Sequence, residues 1–181
     1  LPRRAFTVAE VERMVEVGLI EEDERLELLG GELVPMSPKG SAHEVLKAAL
    51  NMFLVKNCPP SFRVIPETTF RLSVDTFIEP DFLIYPADLP LRNMKGPDPL
   101  LAIEVADTSL SYDLGCKPRI YAQYGIEELW VINATKLVAH IHRGRTPDGY
   151  REVTLHRQDE LLTPTRVPEL AFKLSQLDLG P

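Results

Sequence analysis

Ile78-Glu79-Pro80-Asp81-Phe82-Leu83-Ile84 and, beyond a proline-rich interval, Leu100-Leu101-Ala102-Ile103-Glu104-Val105-Ala106 decide the reading of this chain. Both are apolar runs of strand length, and each carries a carboxylate where a core strand would carry none. Burying such a group is costly unless an opposite charge or a metal compensates it. Alternation sends Glu104 to the face of Ala102, away from Ile103 and Val105, and Asp81 opposes Phe82 in its own run. Pro80 removes one ladder donor, which predicts an edge, a bulge or an irregular strand where Asp81 is aimed.

Between the two runs, Pro86, Pro90, Pro97, Pro99 and Gly96 require a loop. Beyond them, Asp107, Thr108, Ser109 and Ser111 read as an exit loop, and a helix begins near Leu114 or Gly115 and ends at about Tyr124, with Gly125 as its stop. Lys117 then falls in the first turn, the one place where Pro118 is tolerated.

Upstream, Thr7 and Glu10 form a capping box for a helix from about Val8 to Val17. Leu26-Glu27-Leu28-Leu29 and Glu32-Leu33-Val34-Pro35-Met36 read as strands joined by the Gly30-Gly31 turn, a strong hairpin signal. Alternation turns Glu27 away from Leu26 and Leu28, toward solvent or a polar cleft. Val45, Leu46, Ala49, Leu50, Phe53 and Leu54 give Ala42 to Lys56 the pattern of an amphipathic helix. His43 lies in its first turn, either as a contact to a phosphate or carboxylate or as an ordinary surface histidine. Cys58-Pro59-Pro60-Ser61 ends that helix, and Phe62 to Ser73 and Thr76 to Ile84 read as a strand pair around Ser73-Val74-Asp75. Downstream, Glu128 to Ile132, Lys136 to Arg143, Tyr150 to His156 and Ala171 to Leu174 read as further short strands.

The 181 residues, 44% of them hydrophobic, fit one domain spanning 1–181 with a sizeable core. No run approaches the roughly 20 apolar residues of a membrane span, so a cytoplasmic protein without membrane contact is expected. Cys58 and Cys116 form no CxxC pair, which argues against zinc and a disulfide framework; Cys116 beside Lys117 is a weak candidate nucleophile. The net charge of −7 counts against nucleic acid as a partner. Charge is a sum, however, and a basic rim around an acidic pocket is compatible with it. Lys39, Lys47, Arg63, Arg71, Arg92, Lys95, Arg119, Arg143 and Arg145 are the candidates for such a rim.

Two carboxylates on neighbouring strands, with no His or Cys cluster nearby, favour Mg²⁺ or Mn²⁺ over zinc. With Lys117 beside them, Asp81 and Glu104 make the minimal set for metal-dependent hydrolysis of a phosphodiester. Lys117 would bind the phosphate or assist deprotonation of the attacking water. The competing readings are a catalytically weak binding or regulatory module and a purely structural ion cluster of Glu27, Asp81, Glu104 and Lys117.

The chain also resembles a known family, the Uma2 proteins (DUF820-like), a widespread bacterial group within the PD-(D/E)XK nuclease superfamily. The residues that carry the resemblance run from Leu26-Glu27-Leu28-Leu29-Gly30-Gly31-Glu32-Leu33-Val34, Met36-Ser37-Pro38 and His43 to Ile78-Glu79-Pro80-Asp81-Phe82 and Ile103-Glu104-Val105-Ala106-Asp107-Thr108-Ser109. They continue through Asp113, Lys117, Tyr121-Ala122 and Gly125-Ile126-Glu127-Glu128-Leu129-Trp130-Val131-Ile132. The resemblance implies an α/β, restriction-endonuclease-like core, a mixed β-sheet flanked by helices, with an N-terminal helix and β-hairpin. It implies a Mg²⁺- or Mn²⁺-dependent endonuclease acting on nucleic acid, DNA first, and a homodimer. It makes Asp81, Glu104 and the Val105 carbonyl the metal ligands and Glu27 an additional upstream acid. His43 and Asp113 become secondary members, and Tyr121 and Trp130 structural ones. The superfamily's usual lysine two residues after the glutamate is absent, since position 106 is Ala, and Lys117 takes its place.

Overall fold

The computed structural model describes residues 4–107 and 114–180. It divides into two compact units, residues 1–38 with 68–79 and residues 39–67 with 80–181. The first holds helix α1 (Val8–Glu16), strands β1 (Leu26–Leu29), β2 (Glu32–Pro35), β4 (Phe70–Ser73) and β5 (Thr76–Ile78). The second holds α2 (Ser41–Asn57), β3 (Phe62–Pro66), β6 (Phe82–Pro86), β7 (Leu101–Ala106), α3 (Lys117–Gln123), β8 (Leu129–Asn133), β9 (Val138–Thr146) and β10 (Gly149–Arg157).

In the first unit the capping box forms as expected: Thr7 Oγ1 accepts from the Glu10 amide at 3.2 Å, and Glu10 Oε2 accepts from the Thr7 amide at 2.9 Å. The β1–β2 hairpin is tight because Gly30 (φ 57°) and Gly31 (φ 81°) both occupy left-handed backbone, which glycine adopts without a steric penalty. The four strands order as β2-β1-β5-β4, and Val8, Val11, Ile20, Leu28 and Phe77 form the core under α1.

The second unit is a six-stranded mixed sheet, ordered β10-β9-β8-β7-β6-β3, in which β7 and β8 pair in parallel and every other neighbouring pair is antiparallel. A parallel pair needs a crossover, and the segment containing α3 provides it. Alternation sorts the two faces. Ile103, Val105, Trp130 and Ile132 join the core beneath Leu46, Ala49, Leu50 and Leu54 of α2. Glu104 goes to the other face, where it meets side chains from α3.

Three expectations change. The strand pair predicted from Phe62 to Ile84 is four strands shared between two sheets: β4 and β5 form a hairpin in one, β3 and β6 pair in the other. The breaks fall at Pro66-Glu67, where Glu67 has a left-handed φ of 47°, and at Pro80. Asp81 therefore stands immediately before β6 instead of inside a strand. Ala171 to Leu174 is not a strand; it makes one isolated bridge, Leu162 with Phe172, between short 3-10 turns at Pro168–Leu170 and Leu174–Gln176. The expected exit loop and Asp113 lie largely outside the described residues.

Candidate active site

The ladder between β6 and β7 runs Ile84 to Leu101, Leu83 to Ala102 and Phe82 to Ile103. Carried one step further, that register sets Asp81 beside Glu104 on one face of the sheet. One more step sets Pro80 opposite Val105. Proline has no N–H to offer the Val105 carbonyl, and the Val105 amide donates instead to Asp81 Oδ2 at 2.8 Å. The Pro-Asp pair thus ends the ladder and turns a carboxylate to the Val105 amide in place of a strand partner.

Asp81 is buried and held from several directions. His43 Nε2 lies 3.3 Å from Oδ2, and Lys39 Nζ lies 3.4 Å from Oδ1. Burial pushes the Asp81 carboxyl up, but the His43 contact, the Val105 amide and the Lys39 charge outweigh it and hold the group down at about 2. Because a carboxylate oxygen only accepts, His43 Nε2 carries the hydrogen in this contact. Its Nδ1 is buried without a hydrogen-bond partner, the nearest carboxylate oxygen being Glu44 Oε1 at 3.3 Å in poor alignment. His43 is 5% exposed, so the surface reading of this residue falls.

Glu104 is 3% exposed. Its Oε1 accepts from Lys117 Nζ at 3.0 Å and from the Tyr121 hydroxyl. Lys117 is the first residue of α3, with Pro118 in the first turn as the sequence requires. Lys117 and Tyr121 are one helical turn apart, so one face of α3 delivers both to the same oxygen. Tyr121, read from the sequence as structural, is a member of the cluster; its spacing from Lys117 was the available signal.

A third acid lies at the rim. Glu67 accepts from Lys39, and Lys47 Nζ approaches its Oε1 at 2.5 Å. Burial raises the Glu67 carboxyl, and the two ammonium groups more than reverse that, to about 2. Its amide donates to the Asp81 carbonyl at 3.2 Å. At the start of α2, Asp107 packs on Gly40 so closely that a β-carbon there would lie 2.2 Å from Asp107 Oδ2, so a larger residue would displace the Asp107 carboxylate. Of the basic residues named from the sequence as rim candidates, Lys39 and Lys47 reach this cluster. Arg71, Arg143 and Arg145 are instead paired with Glu12, Glu128 and Glu127.

Glu27 belongs to the N-terminal unit. It is buried, and its Oε1 accepts from the Glu79 amide at 3.2 Å, while Arg25 pairs with Glu79 at 2.8 Å. Trp130, expected from the resemblance to be structural, donates to Glu128 at 2.7 Å. Both cysteines are free thiols, Cys116 exposed and Cys58 half-buried.

The Uma2 family model, described as "Putative restriction endonuclease", matches residues 8–177. The chain belongs to the Uma2 family. Among solved structures it is similar to "a putative nuclease belonging to DUF820" from Anabaena variabilis: the two are 16% identical and superpose with a TM-score of 0.73 over 96% of this chain and 97% of that one. At that identity the likeness shows the fold, which for this Uma2 chain is the expected nuclease type. The type IIG restriction endonuclease BpuSI is 17% identical over 65% of this chain and 14% of its own, with a TM-score of 0.42. No curated protein matches the chain. No helix among the described residues is long and apolar enough to cross a membrane.

Proposed function

We propose that this Uma2 protein is an endonuclease that hydrolyses phosphodiester bonds of nucleic acid, DNA first, with Mg²⁺ or Mn²⁺ held by Asp81, Glu104 and the Val105 carbonyl. The observation that supports the reading is the ladder that ends at Phe82 and Ile103, with the Val105 amide turned to Asp81 Oδ2; its register, extended one step, brings Asp81 beside Glu104 and the Val105 backbone next to them. All three are hard oxygen donors, and a magnesium ion characteristically takes one or two carboxylates and fills its remaining positions with water and phosphate. The donor set therefore fits the ion. When bound, the cation supplies charge stabilisation at the scissile phosphate and an acidified water.

The chain's own groups do the rest. His43 orients Asp81, and Tyr121 and Lys117 orient Glu104. The Lys117 ammonium, buried beside Glu104, would meet a phosphate drawn to the acids. Glu27 stays within the N-terminal unit, where it accepts from the Glu79 amide.

A second reading has an observation of its own: among the described residues no three His, Cys, Asp or Glu side chains gather as a metal site, and Asp81 and Glu104 are each engaged by a lysine. That favours a fold kept for binding nucleic acid or protein without efficient cleavage. Incubation with supercoiled, linear and single-stranded DNA and with RNA, with and without Mn²⁺, separates the two. Cleavage that needs Mn²⁺ and disappears in Asp81→Ala supports the nuclease; equal activity in Asp81→Ala marks a contaminant and sinks it.

A further inference from the structure

Lysine side chains seldom leave solvent, yet Lys39 and Lys47 are only 15% and 13% exposed. Both point their ammonium groups at one carboxylate oxygen, Glu67 Oε1. Glu67 holds its place in left-handed backbone that a non-glycine residue rarely adopts, secured by its amide on the Asp81 carbonyl. At 39% side-chain exposure, it remains open to the surroundings. An anionic, acceptor-only group gripped by two cations has the chemistry of a nucleic-acid phosphate in the same grip. Lys47 follows His43 by one turn of α2, and His43 touches Asp81, so this pair adjoins the proposed cleavage centre.

Resting on the nuclease reading above, we propose that Lys39 and Lys47 are a phosphate-binding pair for the nucleic-acid strand and that Glu67 is their internal counter-ion, displaced when a backbone phosphate arrives. The free protein thereby keeps two half-buried ammonium groups compensated, and with a divalent cation held at Asp81, Lys39 would be left to Glu67 or an incoming phosphate. The arrangement also answers the objection raised by a net charge of −7: two ammonium groups gather locally, both on Glu67, with Lys39 also reaching Asp81.

The test is binding of labelled single-stranded and duplex DNA to the full chain, followed by fluorescence anisotropy from low to moderate salt, with Ca²⁺ in place of Mg²⁺. Lys39→Met and Lys47→Met should each weaken binding and lower the slope of log K against log salt by about one, the loss of one phosphate contact. Lys39→Arg and Lys47→Arg should keep the slope, which separates lost charge from a damaged fold. Glu67→Gln should bind several-fold more tightly, and Lys56→Met, an exposed lysine at the far end of α2, should leave the slope unchanged. Unchanged slopes in both methionine variants, an equal effect of Lys56→Met, or weaker binding by Glu67→Gln overturns the assignment and leaves the nuclease reading standing. A wild-type protein that binds no DNA at the lowest salt overturns both.

Discussion

Glu104 and Glu128 are two buried glutamates of the same sheet region, and they are satisfied in opposite ways. Glu128 is ringed by fixed donors: the Trp130 indole at 2.7 Å, the Arg143 guanidinium through Nε at 3.0 Å and Nη2 at 2.8 Å, and the Thr165 amide at 2.8 Å. Those partners tie β8, β9 and the C-terminal segment together. Glu104 instead meets the Tyr121 phenol and the buried Lys117 ammonium from the single short helix α3, and the β6–β7 register, extended one step, sets Asp81 beside it. Under the nuclease reading, Glu128 is a carboxylate that fastens parts of the fold, and Glu104 one that would exchange its ammonium partner for a cation.

The sharpest way to break this comparison is chemistry. Glu104→Ala or Asp81→Ala should reduce any Mn²⁺-dependent cleavage on the order of 10³-fold, as loss of several kcal/mol of transition-state stabilisation requires, whereas Glu128→Ala should retain the activity of whatever fraction stays folded. Single-turnover rates on one DNA substrate give the comparison; similar losses at all three positions would erase the distinction.

Single losses should destabilise at both sites: removing one member of a buried ion pair costs about 3–5 kcal/mol, Glu104→Ala strands the buried Lys117, and Glu128→Ala strands the Arg143, Trp130 and Thr165 donors together. Paired replacements sharpen the contrast. Glu104→Gln with Lys117→Met keeps an acceptor for Tyr121 and removes both charges, so urea unfolding should fall within about 1.5 kcal/mol of wild type. Glu128→Gln with Arg143→Met sets an amide NH₂ against the Thr165 N–H and should lose about 1–3 kcal/mol. Equal losses in the two paired variants would contradict the account.

The smallest expected effect is on acid stability. Asp81 and Glu67 both titrate at about 2 in the folded chain, below the usual carboxylate range. A depressed carboxyl stabilises the fold above its unfolded pKa, and that contribution is lost as pH falls toward the folded value. Metal-free protein should therefore melt at a constant temperature from neutral pH down to about 4 and lose stability between about 4 and 2. Asp81→Asn should flatten part of that fall, as thermal unfolding by circular dichroism would record; an unaltered profile would mean that Asp81 is not held as described.

Much of this was legible in the sequence because it depends on local rules. The Thr7 and Glu10 capping box, the Gly30-Gly31 hairpin and the placement of Pro118 in a first turn each follow from a few adjacent residues. Pro80 marked an irregular strand, and the irregularity is where Asp81 is presented. What escaped was set by pairing across the fold. Two apolar runs, Phe62 to Ser73 and Thr76 to Ile84, gave no sign that each would divide between two sheets, because periodicity is identical on either side of the break. Glu67 drew no notice, since its role depends on lysines twenty and twenty-eight positions earlier. Tyr121 was within reach: helical spacing from Lys117 already placed both on one face.

A crystal soaked in Mn²⁺ and measured for anomalous scattering tests the central claim most directly. The account predicts a single strong peak between the Asp81 and Glu104 carboxylates, next to the Val105 carbonyl, with Lys39 withdrawn from Asp81. No peak there at saturating Mn²⁺, with Lys39 and Lys117 still on the two acids, would contradict it and leave the cluster a structural one.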